Sequence, residues 1–378
     1  MKIVYCTGAL YNPGGAERVL INKANYLANQ SGYEVFIITA AQLDKDYCYA
    51  IDVKVKLIDA NIHQFFPKKI IPYVSKKRAL PKIIKHYQSI IDTILPDIII
   101  VNELGYDDEV IPRIRSRAKI IREFHSSHIA VNYMIKAKNG ISKLKTKIVN
   151  QKSFKQFNKF DAVVLLTKKD SEYAHYATKV VVIPNMLLEV PQELNTLNKS
   201  KRVISVGRLD DLKNHKDQIR VWKQVASKTD WNLHIYGEGI LKNELTAFIK
   251  ELNLENRVFL EGASSSIMDE YLNSSIFLFT PKAEGFGMVL IEAMSAGLPC
   301  VSYDYPCGAS EIIQDGKSGF LIEVGNIDQI AEKIKLLINN DDLRTEMAKQ
   351  AKKRSLSFYP EHVMPKWEHL FKELIQGN

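Results

Sequence analysis

The 378-residue sequence predicts an α/β protein made of two parallel-sheet domains. Three observations point there. Short β-branched runs alternate with helical patterns along the chain, as βα units feeding a parallel sheet do. One run, Asp97–Asn102 (DIIIVN), is apolar almost throughout, as suits a strand buried on both faces. The alternation stops once, at the polar residues 186–200, and then restarts. That stretch reads as an interdomain linker between halves of ordinary domain size, roughly 150–200 residues each.

Taken in order, Lys2–Cys6 is a first strand leading into the glycine turn Asn12-Pro13-Gly14-Gly15. The opening MKIVYCTGAL lacks a long apolar core and a cleavage site, so it reads as this strand and not as a signal peptide. Ala16–Gln30 follows as a helix, with Val19, Leu20, Ala24 and Leu27 at helical spacing. Strands continue at Glu34–Ala40, Val53–Ile58, Asp97–Asn102, Ala118–Phe124, Ala162–Thr167 and Val180–Pro184. In the second half strands are predicted at Arg202–Val206, Trp231–Tyr236, Val258–Gly262, Ile276–Thr280, Pro299–Tyr303 and Gly319–Ile322, with helices at Lys216–Ser227, Leu241–Leu252 and Met288–Ala296. Beyond Asp328 the chain reads as mostly helical, broken by Pro360 and Pro365 before a last segment, Lys366–Ile375. Sheets of this kind bind ligands outside the carboxyl ends of their strands, where strand order reverses, and two of them facing each other leave a cleft.

Composition narrows the class. With 46% hydrophobic and 25% charged residues the chain is neither disordered nor collagenous, and its four cysteines form no CxxC or Cys/His cluster. That usage suits a reduced cytosol. No apolar stretch reaches the ~18–20 residues of a membrane span, so any membrane contact is expected to be peripheral. The net charge of +9 is unevenly distributed: residues 1–190 hold 29 Lys and Arg against 17 Asp and Glu, whereas residues 191–378 hold 23 against 26. Two acid-free stretches carry much of the surplus. Residues 136–159 hold eight lysines interleaved with Ile141, Leu144, Ile148, Phe154 and Phe157, and residues 67–88 hold seven Lys and Arg. An amphipathic basic stretch of this kind binds anionic membrane surfaces. A solvated helix face is the alternative, and nucleic acid is disfavoured because no recognition motif accompanies the charge.

The chemistry concentrates in Phe277–Val324. A strand runs into the loop Pro281–Gly287 and then a helix, with Glu284 in the loop and Glu292 eight residues on. Gly285 and Gly287 flank Phe286 and let backbone approach a ligand closely. The helix start offers N–H groups and a positive dipole end, an anion site. Carboxylates on either side of a bound phosphate would accept hydrogen bonds from polyol hydroxyls. A second element, Val206-Gly207-Arg208-Leu209 followed by Lys213, sits at a strand end and supplies two cations able to neutralise a diphosphate. Gly14-Gly15-Ala16-Glu17-Arg18 and Glu123-Phe124-His125-Ser126-Ser127-His128 occupy strand ends in the first half.

The run EGFGMVLIEAMSAGLPCVSYDYPCGASEII, with its E-x(7)-E spacing, and the VGRL…K element resemble the retaining glycosyltransferases of family four, which have the GT-B fold. The resemblance implies roles. Glu284 contacts the donor sugar's hydroxyls and Glu292 the ribose, while main chain at Phe286, Gly287, Met288 and Val289 holds sugar and phosphates. Arg208 and Lys213 stabilise the departing diphosphate. Gly14 and Gly15 lie under the donor phosphates, Gly237 contacts the donor, and His125 points toward the sugar. The domains are placed at 1–187 with a C-terminal helix 360–378, on the acceptor side, and 188–359, on the donor side. His128 is left without a role.

Other motifs fail. The third glycine of a dinucleotide loop begun at Gly237-Glu238-Gly239 falls on Lys242, and the first glycine of a P-loop ending Gly316-Lys317-Ser318 falls on Glu311. Asp44-Lys45-Asp46 has the spacing of a metal-binding DxD but no supporting residues. The expectation is a metal-independent, cofactor-free retaining transferase. It takes a hexose from a nucleotide-sugar, UDP-linked by preference, to a lipid-linked saccharide in surface polysaccharide assembly. It would act in the cytoplasm, peripherally at the inner face of the cell membrane. A sugar-phosphate synthase with a soluble acceptor and a non-catalytic sugar-nucleotide binder are the rivals.

Overall fold

The computed structural model describes residues 1–12, 14–66, 72–102, 106–125, 127, 155–172, 174, 177–188 and 200–377, with backbone alone at 72–77, 106, 155 and 156. The chain divides into two compact units. One gathers the described residues of Met1–His125 and Lys138–Met186 and is completed by Val363–Asn378; the other is built on Leu187–His362.

Among the described residues the first unit carries seven strands: β1 (Lys2–Thr7), β2 (Glu34–Thr39), β3 (Lys56–Asp59), β4 (Ile98–Val101), β5 (Lys119–Glu123), β6 (Ala162–Leu165) and β7 (Val180–Val182). They pair in the order β3-β2-β1-β4-β5-β6-β7, every ladder parallel. The second carries six: β8 (Arg202–Val206), β9 (Asn232–Tyr236), β10 (Val258–Gly262), β11 (Ile276–Phe279), β12 (Cys300–Tyr303) and β13 (Gly319–Ile322), in the order β10-β9-β8-β11-β12-β13, again parallel. Order reverses beside β1 and beside β8, which is where open parallel sheets generally place a ligand, so the strand ends there are the candidate sites.

Central strands bury both faces, which explains their unbroken apolar runs: all four residues of β4, β6, β11 and β12 are buried. Helices close the cores. Ile83, Tyr87 and Ile91 of the helix Pro72–Ile94 pack in the first, and Trp222, Ile330 and Ile334 in the second.

Several expectations change. The strand drawn at Val53–Ile58 is β3, starting at Lys56; Val53 lies in a turn and is 98% exposed, so its β-branched side chain has nothing to pack against. Pro360 and Pro365 do not break the C-terminal segment. One helix runs Pro360–Gln376, with Pro360 at its first position, where the missing N–H costs nothing, and Pro365 inside. The helix Pro72–Ile94 and the short helix Ile267–Leu272 were not anticipated. Phe157, read as part of the amphipathic basic face, is instead buried against Phe124, ring centroids 5.9 Å apart. Residues 189–199 of the linker, 136–154 of the basic stretch, His128 and 67–71 lie outside the described residues.

Candidate active site

In the second unit the loops after β8 and β11 meet. Lys213, on the loop leaving β8, pairs through Nζ with Oε2 of Glu284, on the loop leaving β11. The other carboxylate oxygen accepts a 3.0 Å bond from the Gly285 N–H. The pair is shallow, with side chains 16% and 20% exposed. Arg208 is open, 75% exposed, and reaches Asp210 at 3.2 Å. Asp210 also accepts the Lys213 N–H at 3.0 Å and so shapes the turn between the two cations.

Glycines permit this packing. Gly237 has φ +145°, and a Cβ there would stand 2.0 Å from the Gly207 carbonyl oxygen. Backbone contact between the β8 and β9 loops, sealed by Leu209 N–H to Glu238 O at 3.0 Å, thus accounts for the residue expected to touch the donor. Gly287 has φ +106° and caps the helix Met288–Ser295; a Cβ would meet the Tyr305 hydroxyl at 2.3 Å. That hydroxyl donates to the Phe286 carbonyl at 2.7 Å, and the Phe286 ring packs on Phe358, clamping the loop ahead of the helix. Met288 and Val289 open the helix, where N–H groups have no intrahelical acceptor. Glu292 is buried one turn in and accepts from the Tyr271 hydroxyl at 3.3 Å.

His215 was missed. Its Nε2 lies 3.2 Å from the Arg208 carbonyl and its Nδ1 2.9 Å from Gln218 Oε1, so it anchors the loop that presents Arg208. Burial lowers its pKa, against the hydrogen bond to Gln218.

In the first unit Gly14 caps the helix Gly15–Ala28, its carbonyl accepting the Arg18 N–H at 3.1 Å and the Tyr49 hydroxyl at 3.3 Å. A Cβ on Gly15 would meet nothing within 4 Å among the described residues. His125 follows β5 and belongs to a buried polar cluster. Lys23, from the helix, pairs with Glu123 Oε2, and both side chains are 2% exposed. Asn102, just past β4, donates through Nδ2 to Glu123 Oε2 at 2.9 Å and lies 3.1 Å from His125 Nε2. The Lys23 ammonium sits 4.3 Å from the Trp367 ring centroid, in the C-terminal helix, and 5.7 Å from that of Tyr5. Burial lowers the Lys23 pKa against the pull of Glu123. Burial also acts to raise Glu123, but Lys23, His125 and hydrogen bonds from Lys23 and Asn102 outweigh it and hold the carboxyl low. Lys23 had a legible signal: it stands four residues past Val19 and three past Leu20, on the apolar face.

Of the residues singled out from sequence, the structure thus gathers Arg208, Lys213, Gly237, Glu284, Phe286 and Gly287 around the β8 and β11 ends, with Met288, Val289 and Glu292 in the adjoining helix. Gly14, Gly15 and His125 lie in the first unit.

Comparison with known proteins follows these two halves. Residues 13–187 match the family model described as Glycosyltransferase Family 4, and residues 189–354 that described as Glycosyl transferases group 1. A Haemophilus influenzae protein described as an uncharacterized glycosyltransferase is 27% identical over 372 residues, 97% of this chain and 99% of that one. A Campylobacter jejuni protein, N-acetylgalactosamine-N,N'-diacetylbacillosaminyl-diphospho-undecaprenol 4-alpha-N-acetylgalactosaminyltransferase, is 40% identical over 160 residues, 42% of this chain and 43% of that one. The structure of S. aureus TarM with fondaparinux, alpha-GlcNAc-glycerol and UDP matches with a TM-score of 0.78 at 19% identity, covering 98% of this chain and 100% of that one.

Proposed function

The chain belongs to glycosyltransferase family 4, and from that premise we propose that it is a retaining, metal-independent hexosyltransferase using a UDP-sugar and a lipid-linked saccharide acceptor. The observation that carries this is the shallow Lys213–Glu284 pair between the β8 and β11 loops, beside exposed Arg208 and the start of the helix Met288–Ser295. An arriving diphosphate competes with Glu284 for Lys213. Exchange leaves the phosphates with Lys213, Arg208 and the helix N-terminus, and leaves the Glu284 carboxylate to accept the sugar's hydroxyls. Glu292 takes the ribose hydroxyls. The same groups stabilise the diphosphate as it leaves. Residues 188–359 are then the donor side, and residues 1–187 with 360–378 the acceptor side, where Gly14 and Gly15 approach the phosphates and His125 the sugar.

The step is a front-face displacement. The acceptor oxygen bonds to the anomeric carbon on the face the diphosphate leaves, and its proton passes to the departing phosphate oxygen.

The lipid-linked acceptor is supported by the Campylobacter relative, whose name specifies a diphospho-undecaprenol substrate, and the UDP donor by the ligand in TarM. No described helix is long and apolar enough to cross a membrane. The basic surplus of residues 1–190 suits an anionic membrane surface, reached from its cytoplasmic side.

The test is a panel of UDP-sugars assayed with undecaprenyl-diphosphate saccharides and with soluble sugar phosphates, in EDTA, with the product's anomeric configuration read by NMR. Transfer to the lipid-linked acceptor with retained configuration is expected. Inversion, loss of turnover in EDTA, or transfer to sugar phosphates alone would each overturn the corresponding part. Glu284→Gln should bind UDP while turnover falls by about 10²-fold or more. Replacing the lysines of 136–159 with glutamine should release the protein from anionic vesicles and spare UDP binding; unchanged vesicle binding would refute the membrane assignment.

A further inference from the structure

We propose that Asn102, Glu123 and Lys23 are positioning residues that hold His125 as the uncharged Nδ1–H tautomer, a fixed hydrogen-bond donor to a sugar oxygen and not a proton-transfer group. The proposal rests on the reading that His125 approaches the sugar.

The cluster determines the tautomer step by step. Glu123, ionised opposite Lys23, can only accept, so the Asn102 group 2.9 Å from it is the amide NH₂. Amide orientation is normally ambiguous, and the carboxylate removes the ambiguity. The same nitrogen lies 3.1 Å from His125 Nε2 and has a second hydrogen to give. Nε2 is therefore the acceptor, and the ring proton sits on Nδ1. Glu123 Oε1 is 3.6 Å from Nε2, too far to hydrogen-bond a proton there. Nδ1 is buried and has no hydrogen-bond partner among the described residues. An unsatisfied buried donor on a side chain only 10% exposed is a group whose partner arrives with a ligand.

Among the described residues the charged groups facing the imidazole are Glu123 and Arg122, from the strand it follows, and Lys23, from the helix. Burial, aided by Lys23 and Arg122 and opposed by Glu123, holds its pKa at about 4. Trp367 and Tyr5 cover the Lys23 ammonium, so the pair beneath the ring is kept from water. A rigid base under a neutral ring fixes direction, which a hydrogen-bond donor to a hydroxyl needs and a proton shuttle does not.

The tautomer can be read directly by ¹⁵N-histidine NMR of the unaltered protein, which needs no substitution. The expected pattern is a protonated Nδ1 and an unprotonated Nε2 at pH 7; the reverse would overturn the proposal. In Asn102→Ala the proton should move to Nε2, toward Glu123. Turnover should then fall about tenfold, as for loss of one neutral hydrogen bond, with the KM for the UDP-sugar little changed. Wild-type turnover with the tautomer reversed would overturn it. The pH–rate profile should have no limb near pH 6.5 that His125→Gln abolishes; such a limb would mean that the cluster does not hold the ring uncharged, and would overturn the proposal. Full turnover in His125→Ala, whatever the NMR pattern, would instead remove His125 from the site and so overturn the underlying reading.

Discussion

The two units share a strand order and treat charge in opposite ways. At the carboxyl ends of the second sheet, Lys213 and Glu284 are paired within reach of water and Arg208 projects into it. At the corresponding ends of the first, Lys23 and Glu123 are sealed, 2% exposed each, under Trp367. A shallow pair can exchange partners cheaply, as a site that binds and releases a diphosphate must. A sealed pair cannot, because separating it strands a charge in a low-dielectric interior. On the proposed reading the first would serve binding and the second orientation.

The largest effect that would break this contrast is on stability. Lys23→Met leaves Glu123 buried without its cation and should cost about 3–5 kcal/mol. Lys213→Met leaves Glu284 able to turn to water and should cost about 1 kcal/mol or less. Urea unfolding of both variants measures the difference. Equal losses would mean that the two pairs are alike and that the exchange proposed for Glu284 is not cheap.

A smaller effect follows from acidity. His125 is held at about 4 in the folded chain against 6.5 for an unperturbed histidine, so its folded pKa is depressed. Below 6.5 the unfolded chain takes up a proton that the folded one refuses. Stability is therefore fully present above pH 6.5 and is lost as pH falls toward 4, by up to about 3 kcal/mol. Burial of His215 acts in the same direction in the second unit. His125→Gln should flatten the decline in thermal unfolding temperature between pH 6.5 and 4; an unchanged slope would mean that the imidazole is not the group responsible.

What was legible in sequence separates along the same line. Arg202–Val206, Val258–Gly262 and Gly319–Ile322 were bounded to the residue, because each is a short local run rich in β-branched or aromatic and aliphatic residues and ended by turns. The second unit's candidate site could be read for a similar reason, since Glu284 and the helix it precedes are contiguous. Lys23 and Glu123 are 100 residues apart, and Lys23 looks like any solvated lysine until its helical face is considered. The strand drawn from Val53 failed because β propensity reports packing against neighbours, and Val53 has none. In sequence Pro365 reads as a stop, but the packing of Trp367 and Leu370 in the first unit outweighs the one backbone bond it removes.

The smallest predicted effect on stability is the most discriminating about the glycine loops. Gly237→Ala puts a Cβ 2.0 Å from a backbone oxygen at φ +145°, so it should destabilise the second unit whatever it binds. Gly15→Ala adds a methyl at the first position of a helix with no described residue within 4 Å, so stability should hold or rise by about 0.4–1 kcal/mol through the unfolded chain's lost freedom. The first unit's own packing therefore gives no reason for glycine at position 15. Measured on a variant with undiminished thermal stability, a loss of turnover would come from the ligand, whose phosphates need that backbone uncovered. Undiminished turnover would remove Gly15 from the donor contacts and leave the first unit's share of the site to His125 and the cluster beneath it.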